Sequence, residues 1–347
     1  MRVRLEDVCE KESSKLKQSD VIDQNGLYPV YGASGYLGNI NTYQQSNYYV
    51  AVVKDGAGIG RTMLLPPKSS IIGTMQYLIP KDNVQPEYLY YVVKAKHLEK
   101  YFSGATIPHI YFKDYKNEQF DLVSFEEQRD IINRLKKIEI IIDNLSKNLL
   151  LLDELVKARF VELFGDVQHE EKYKGIPLGE LCTMMSGGTP STKFEEYYEG
   201  DIPWISTVSL GPNHIDGSTA KGYITQEAVD NSATKLIPAG NILFGTRVGV
   251  GKSSINDVNI CTNQDIIAII DIDESRFKRL FVKHVLDAYQ PYYDSIKKGA
   301  TILGITSEDL KDTLIPDAPI EVQMEYVAFA EQVDKSKFLS NHSLFLL

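Results

Sequence analysis

The sequence predicts an α/β (α+β) protein with two globular domains that are copies of each other, separated by two long antiparallel coiled-coil helices. Three observations indicate this fold class. The tetrapeptide Gly-Ala-Thr-Ile occurs at 104–107 and again at 299–302. Strand-like apolar runs alternate with turns rich in Gly, Pro and Asn in both halves of the chain. Apolar residues also recur in a heptad pattern through 125–164, as in a coiled coil.

The repeat extends well beyond the tetrapeptide. When 103–128 is aligned with the segment 195 residues later, nine of 26 positions are identical. Further upstream, Val3–Cys9 resembles Ile176–Cys182, and Lys54–Arg61 resembles Gly245–Lys252. This period is too long for a solenoid repeat, so duplicated domains are the natural interpretation. Two similar units in one chain can pack about a pseudo-two-fold axis, which would make their helices antiparallel.

The bulk properties are those of a globular intracellular protein. The 347 residues are enough for two domains of ordinary size. The chain contains no run of 18 apolar residues and no apolar segment of a signal peptide near its N-terminus. Three cysteines without a Cys-x-x-Cys motif favour reduced, structural thiols. We therefore expect a cytoplasmic protein.

The charge is unevenly distributed along the chain. The net charge is −10, which argues weakly against a simple nucleic-acid binder. Residues 1–120 hold 14 Lys/Arg and 12 Asp/Glu, a net of +2, whereas residues 166–314 hold 14 and 21, a net of −7. Such a total leaves room for a local basic groove, and it suggests that other subunits contribute positive charge.

Each predicted element has a local signal. Apolar runs predict strands and short helices, and the helices are expected at Pro86–Tyr101 and Ser275–Lys297. A long helix over Phe125–Phe164 should start after the N-cap Ser124 and stop at Gly165. Its forty residues correspond to a rod of roughly 60 Å. The predicted strands are Tyr48–Val53, Ser70–Ile79, Asn241–Phe244 and Ile266–Ile270.

A rod of this length needs a partner helix, and the second copy supplies a candidate at Glu321–Leu347. That helix has a weaker heptad pattern, because Lys337 and Ser340 replace two apolar positions. The apolar residues that we expect to bind a partner on the long helix are Ile131, Leu135, Ile138, Ile142, Leu145, Leu149 and Leu152.

The segment Gly245–Ser253 resembles a phosphate-binding loop without fitting it. A Walker A loop has four residues between its glycines, and here five residues separate Gly245 from Gly251. One interpretation is a tight glycine turn that allows close backbone approach. The other is a turn that brings Arg247 and Lys252, or Arg61 in the first copy, to a DNA phosphate.

The sequence offers no catalytic or metal site. Six histidines are scattered without ligand spacing, and no clustered carboxylates of the kind that hold a nuclease metal occur. His109 follows the first Gly-Ala-Thr-Ile, but the second copy has Gly304 there, so a satisfied surface histidine is the expected role. Trp204 is expected in a core.

Several segments together carry a family resemblance. A polar glycine loop is followed by Ile-Pro-Trp-Ile, and a Gln closes the first turn of each long helix. With the two Gly-Ala-Thr-Ile segments, this pattern resembles the DNA-specificity (S) subunit of type I restriction–modification systems. The segments that carry it are Gly187–Ser191, Ile202–Ile205, Gly249–Lys252, Phe125–Gln128 and Ile320–Gln323.

The resemblance implies four regions with separate tasks. Residues 1–120 and 174–316 would be target-recognition domains, each of which reads one half of a bipartite DNA site. Residues 121–165 and 317–347 would be the helices that set the spacer and dock two methylation subunits. Restriction subunits would complete the complex. S-adenosylmethionine, ATP and Mg²⁺ would belong to those partners, with no cofactor, metal or catalysis on this chain.

Polar residues on the predicted turns and loops are the candidates for contact with double-stranded DNA. For Thr106 and Thr301, a turn hydroxyl bonded to its own backbone is the alternative. Two other functions stay open from the sequence: a structural adaptor whose domains bind protein, and a DNA-modifying enzyme with its own active site. The candidates are Lys54, Arg61, Thr106, Lys113, Thr189, Ser191, Lys193, Arg247, Lys252 and Thr301.

Overall fold

The structure is a computed structural model of residues 1–347. It describes all of them except residues 23, 105–107, 170–171, 300–301 and 347, and for residues 345 and 346 it describes the backbone alone. The chain forms two compact units, Met1–Asp143 (unit 1) and Asn144–Leu347 (unit 2), and their boundary falls inside one long helix. No helix in the described part of the chain has the length and apolar content needed to span a membrane.

Unit 1 is built around a sheet in which β2, β8, β5 and β6 lie side by side in that order, with all neighbours antiparallel. A second sheet has the order β4, β3, β7, and β1 pairs with β9. All five residues of β5 are buried, as expected for a continuous apolar run in a central strand. The strands are β1 (Arg2–Arg4), β2 (Cys9–Ser13), β3 (Tyr28–Gly32), β4 (Gly35–Ile40), β5 (Tyr49–Val53), β6 (Thr62–Leu65), β7 (Ser70–Ile71), β8 (Met75–Pro80) and β9 (Gln119–Asp121).

The helices of unit 1 are α1 (Leu5–Val8), α2 (Pro86–Lys94), α3 (Phe112–Tyr115) and the first half of α4 (Phe125–Phe164). Helix α2 begins with Pro86, whose fixed φ and missing N–H suit the first turn. It buries Leu89 and Val93 in the core of the unit, to which Ile132 of α4 also belongs. The helix predicted at Pro86–Tyr101 is shorter in the structure, where α2 ends at Lys94.

Unit 2 contains strands β10 to β19. Its main sheet has the order β11, β18, β15, β16, β13, its second sheet has the order β14, β12, β17, and β10 pairs with β19. The strands are β10 (Gly175–Pro177), β11 (Thr183–Ser186), β12 (Ile202–Ile205), β13 (His214–Ile215), β14 (Gly222–Ile224), β15 (Ile242–Gly245), β16 (Ser253–Asn256), β17 (Cys261–Thr262), β18 (Ile266–Ile270) and β19 (Leu314–Pro316).

The helices of unit 2 are α5 (Gln226–Asp230), α6 (Arg279–Ala288), α7 (Gln290–Ile296), α8 (Ser307–Lys311) and α9 (Ile320–Leu346), together with the second half of α4. The predicted helix Ser275–Lys297 is two helices, α6 and α7. Pro291 is the second residue of α7, where proline is tolerated, and it could not continue the hydrogen bonds of α6. The predicted strand Ser70–Ile79 is likewise two strands, β7 and β8, which belong to different sheets.

The two units share one topology, which confirms the predicted duplication. The order β2-β8-β5-β6 recurs as β11-β18-β15-β16, and β4-β3-β7 recurs as β14-β12-β17. The short pair β3/β7 is parallel in unit 1, and so is its counterpart β12/β17 in unit 2. Unit 2 adds β13, which runs parallel to β16.

Helix α4 is continuous over forty residues, as predicted. Ser124 accepts from the N–H of Glu127 (3.3 Å), and the Glu127 carboxylate accepts from the N–H of Ser124 (3.0 Å), which completes a capping box. Gly165 has a φ of +78° directly after the last turn. The start and stop signals read from the sequence are both confirmed.

Within unit 2, α9 packs antiparallel on the end of α4. Arg159 pairs with Glu325, and Asp153, six residues before Arg159, pairs with Lys337, twelve residues after Glu325, so the two helices run in opposite directions. The rings of Phe160 and Tyr326 meet at 5.5 Å between centroids. Lys337, which interrupts the heptad pattern, thus makes an ion pair with the opposite helix.

Candidate nucleic-acid interface

The residues that follow the first Gly-Ala-Thr-Ile, from Pro108 to Ile110, lie against the glycine turn in unit 1. The turn 54–61 connects β5 to β6, and its backbone closes through the N–H of Gly60 on the Val53 carbonyl (2.9 Å). Gly60 has a φ of +81°, a conformation that favours glycine. The N–H of Gly56 donates to Pro108 (3.0 Å), and that of Ile110 donates to Lys54 (2.9 Å).

Unit 2 repeats the arrangement. The turn 245–252 connects β15 to β16, and the N–H of Ile305 donates to the Thr246 carbonyl (2.8 Å). Each unit also has one pair of reciprocal backbone hydrogen bonds in its repeated segment. The pair joins Lys298 and Gly304 in unit 2 (2.8 and 3.0 Å) and Ser103 and His109 in unit 1 (2.8 Å each). The repeated sequence therefore encodes a turn and loop that pack together. Thr106 and Thr301 lie outside the described residues.

The three candidate cations of unit 1 lie at the two ends of the turn 54–61 and on the helix α3. Lys54 pairs with Asp55 (3.4 Å), and Arg61 is exposed, with Nη1 donating to the Ala33 carbonyl (2.7 Å). Lys113, on α3, lies over the Tyr111 ring at 5.3 Å. His109 bonds through Nδ1 to Asp55 (2.7 Å), so it is the satisfied surface histidine that the sequence predicted.

In unit 2, the predicted polar residues converge on the loop 263–265 between β17 and β18. Thr189 Oγ1 donates to Oε1 of Gln264 (2.6 Å). Arg247, exposed over 55% of its side chain, faces Asp265, with 3.6 Å between Nη1 and Oδ1. Gln264 and Asp265 were missed by sequence reasoning, because nothing in their local pattern indicates that two distant loops meet there.

The glycine loop 187–193 owes its position to close backbone packing. The N–H of Gly188 donates to the Thr262 carbonyl (2.9 Å), and Nε1 of the buried Trp204 donates to the Gly188 carbonyl (3.1 Å). A Cβ on Gly187 would lie 2.2 Å from the Asn263 carbonyl oxygen, so only glycine fits. Trp204 is a core residue, as predicted, and it also supports this loop.

The other described candidates of unit 2, Ser191, Lys193 and Lys252, are exposed. Ser191 Oγ accepts from the backbone N–H of Lys193 (3.4 Å), and the lysine side chain lies in solvent. Lys252 is exposed at the end of the glycine turn, where its carbonyl accepts from the N–H of Gly245 (2.9 Å). The structure thus joins Thr189 and Arg247 through one loop and places Lys193 and Lys252 on the adjoining glycine loop and glycine turn.

The apolar residues predicted to bind a partner differ in their surroundings. Ile131 packs on the core of unit 1. Leu135, Ile138, Leu145, Leu149 and Leu152 are half-buried, whereas 38% of Ile142 is exposed.

The described residues offer no site for metal or thiol chemistry. They contain no group of three or more His, Cys, Asp or Glu side chains arranged to hold a metal ion. The three cysteines are free, and burial raises the pKa of Cys9 to about 12 and those of Cys182 and Cys261 to about 11. Cys9 and Cys182 each donate to the carbonyl four residues earlier (3.2 Å), so they have equivalent structural roles in the two copies.

Comparison with known proteins gives a consistent family. The model of the type I restriction modification DNA specificity domain matches residues 1–151 and 170–344. The specificity subunit of the Escherichia coli type I restriction enzyme EcoR124I/EcoR124II is 34% identical over 164 residues, which cover 45% of this chain and 40% of that protein. The MjaIX specificity subunit of Methanocaldococcus jannaschii is 31% identical over 156 residues, 45% of this chain and 36% of that one. The chain thus spans less than half of the length of these two relatives.

Solved structures share the fold. A type I restriction–modification S subunit from M. genitalium superimposes with a TM-score of 0.62 at 15% identity, covering 99% of this chain and 91% of that one. A chain from a study of type I system assembly and conformational transition gives 0.54 at 18% identity, with 99% and 92% covered. Because the family model covers most of the sequence and the duplicated topology agrees with it, the chain belongs to the type I restriction modification DNA specificity domain family.

Proposed function

We propose that this chain is the DNA-specificity subunit of a type I restriction–modification enzyme. The observation that carries the proposal is the duplicated topology, in which each copy presents a cation-bearing glycine turn against the same type of loop. Two copies of one reader with different side chains suit a DNA site made of two different halves. In this proposal residues 1–120 and 174–316 are the target-recognition domains.

The exposed cations would hold the DNA backbone, and the hydroxyl groups would reach base edges or phosphates. Phosphate contacts by Lys and Arg fix orientation and carry most of the affinity, whereas sequence is read at the base edges. We assign the ten candidate residues to these roles, including Thr106 and Thr301. In unit 2, Asp265 and Gln264 would orient Arg247 and Thr189, because each is within reach of its partner.

The long helices would act as a spacer between the two readers. Half-sites read from one face of B-DNA lie about 34–36 Å apart, and a stiff helix of roughly 60 Å can fix such a distance where a flexible linker cannot. Residues 121–165 and 317–347 would also dock two methylation subunits, to which restriction subunits would add. The heptad residues from Leu135 to Leu152 would take part in the helix pairing, whereas Ile131 packs on the core of unit 1.

The chemistry of the complex would belong to its other subunits. S-adenosylmethionine would be bound by the methylation subunits, and ATP with Mg²⁺ would serve DNA cleavage. This chain would bind no cofactor and would act in the cytoplasm, where the DNA is.

Methylation mapping in cells tests the proposal directly. The full chain is expressed with its methylation subunits, and N6-methyladenine is mapped across the host genome by sequencing. We expect methylation at one bipartite motif with a fixed unread spacer, and no methylation when this chain is omitted. A map without a bipartite motif would contradict the proposal.

Salt dependence separates DNA recognition from an adaptor that binds protein. Binding of the complex to a DNA that carries the mapped motif should weaken steeply between about 50 and 200 mM salt, because counterions are released when phosphates are contacted. An affinity for that DNA that is flat with salt and indifferent to the motif would favour the adaptor.

A further inference from the structure

In unit 1, the short helix α2 is attached to the long helix α4 near each of its ends, and the ion pair between Lys136 and Glu87 (3.4 Å) lies between these two points. At the first, Oε1 of Gln128 accepts from the N–H of Gln85 (2.8 Å) at the start of α2. At the second, the Tyr91 hydroxyl donates to Oε2 of Glu139 (2.8 Å), and Lys94 lies 3.3 Å from the other carboxylate oxygen. The second point is six residues further along α2 and eleven residues further along α4.

Unit 2 repeats both points at equivalent positions. Oε1 of Gln323 accepts from the N–H of Lys278 (2.9 Å), which precedes α6. Six residues further along this segment lies His284, and eleven residues beyond Gln323 on α9 lies Asp334. His284 and Asp334 are joined through Asn213, from the loop before the added strand β13.

The bridge through Asn213 is a directed hydrogen-bond chain. Nδ2 of Asn213 donates to Asp334 (2.6 Å), so its Oδ1 faces α6 and accepts from Nε2 of His284 (2.9 Å) and from Lys283 (2.8 Å). The other ring nitrogen of His284 accepts from the Tyr326 hydroxyl (2.6 Å). Lys283 and His284 are buried, so their bonds to Asn213 and Tyr326 satisfy groups shielded from water, whereas Asn213 and Asp334 are half-buried.

Two attachment points fix an angle that one point leaves free. The two points are about 9 Å apart along α2 and about 16 Å apart along α4, so rotation of the short helix about either point breaks the other. A domain of about 100 residues has a radius of gyration of about 13 Å and is therefore roughly 34 Å across. Over that lever a rotation of under 10° moves the far end by about 3.4 Å, the rise of one base pair.

We propose that the Tyr91–Glu139 bond and the Asn213–Asp334 bond are positioning contacts, which set the angle of each recognition domain on its long helix and so sharpen the choice of spacer length. The inference rests on the proposed function. It assigns to these four residues a role in spacer selection at a distance from the DNA-contacting loops. The glutamine contacts place the helix ends, and the second contacts set the angle.

The test removes one hydroxyl. Tyr91→Phe is introduced into the full chain, with Tyr101→Phe as the matched control, since the Tyr101 hydroxyl also donates to a carboxylate, that of Glu118, which is not on α4. N6-methyladenine is mapped in cells that express each variant with the methylation subunits. The readout is methylation at the preferred spacer divided by methylation at spacers one base pair shorter or longer. We expect this ratio to fall about threefold to tenfold for Tyr91→Phe and to stay at the wild-type value for Tyr101→Phe, in line with the loss of one charge-assisted bond to α4.

Further variants separate positioning from general stability. Glu139→Gln keeps an acceptor and should retain most of the ratio, whereas Glu139→Ala should lose it. Asn213→Ala should lower the ratio through unit 2, and its melting temperature shows whether the unit still folds. If it does not fold, the Tyr91 variant decides.

The outcomes distinguish the two proposals. A wild-type map without a bipartite motif overturns the proposed function. A bipartite wild-type map with a sharp spacer, and a Tyr91→Phe map with the same ratio, overturns the positioning role alone. Methylation that falls equally at all spacers also overturns it, because a merely structural contact would act that way.

Discussion

At the scale of single residues, Gln128 and Gln323 show how a duplicated sequence keeps a duplicated contact. Both side chains are fully buried. Gln323 accepts from the N–H of Lys278 and donates to the carbonyls of Ala318 (2.8 Å) and Arg276 (3.0 Å). Gln128 bonds in the same way to the N–H of Gln85 and to two carbonyls of unit 1. Each glutamine therefore joins a long helix to the start of a short helix of the same unit.

Gln323→Leu should destabilise the protein by about 2–4 kcal/mol, because it leaves buried backbone groups without partners. Urea unfolding measures the change. Gln332→Leu, at an exposed position of the same helix, is the control and should stay within about 0.5 kcal/mol of wild type. Equal losses in the two variants would contradict the assigned role.

His284 should make stability depend on pH. Its burial, followed by the nearby charges of Lys283, Lys337 and His214, holds its pKa well below the usual value. The folded state therefore stays neutral where the unfolded chain binds a proton, and stability falls as pH drops through about 6.5. We expect a loss of about 1 kcal/mol between pH 6.5 and 5.5 that is absent from His284→Gln. Parallel pH profiles of the two proteins in urea unfolding would refute it.

Arg247→Ala should weaken DNA binding by the complete complex about tenfold and should lower the slope of log affinity against log salt by about one. Arg276→Ala is the control, since Arg276 is also exposed but pairs with Asp317, away from the glycine turns. Titration of the complex with DNA that carries the mapped motif, at several salt concentrations, measures both the affinity and the salt slope. A wild-type slope for Arg247→Ala would remove this residue from the interface.

At the scale of elements, the heptad pattern of α4 predicted a helix, and the neighbours of each position decided its role. Ile131 faces the core of unit 1, and Phe160 and Phe164 belong to the core of unit 2. Arg159 and Asp153 form ion pairs with residues of α9. Each of these ion pairs is weak because it is exposed to solvent. Specific pairing therefore depends mainly on the buried aromatic contacts of Phe160 and Tyr326.

Insertion of seven residues after Leu145 should lengthen the preferred DNA spacer. A heptad preserves the phase of the apolar positions, and its length of about 10 Å corresponds to about three base pairs. Methylation mapping reads the new spacer. A three-residue insertion at the same place is the control, since it rotates the apolar positions and should abolish activity. An unaltered spacer at full activity would exclude α4 as the ruler.

At the scale of the whole molecule, duplication and charge set different limits. The repeated sheet orders give each unit its own core, and each core includes part of α4. The net charge of −10 would oppose DNA binding as a whole, so in the proposed complex the local cations on the turns would have to outweigh it at the contact. An acidic chain of this kind suits an assembly in which other subunits supply further positive charge.

The amino-acid sequence by itself determined the duplicated topology, the continuous forty-residue helix with its cap and stop, and the core position of Trp204. These features follow from local periodicity and from repeats, which are visible along the chain. Only the tertiary structure decided that Thr189 meets Gln264, that Arg247 meets Asp265, and that Asn213 connects His284 to Asp334. The physical reason is that such polar contacts join residues far apart in sequence, and their partners are chosen by the packing of loops and helices once the cores have formed.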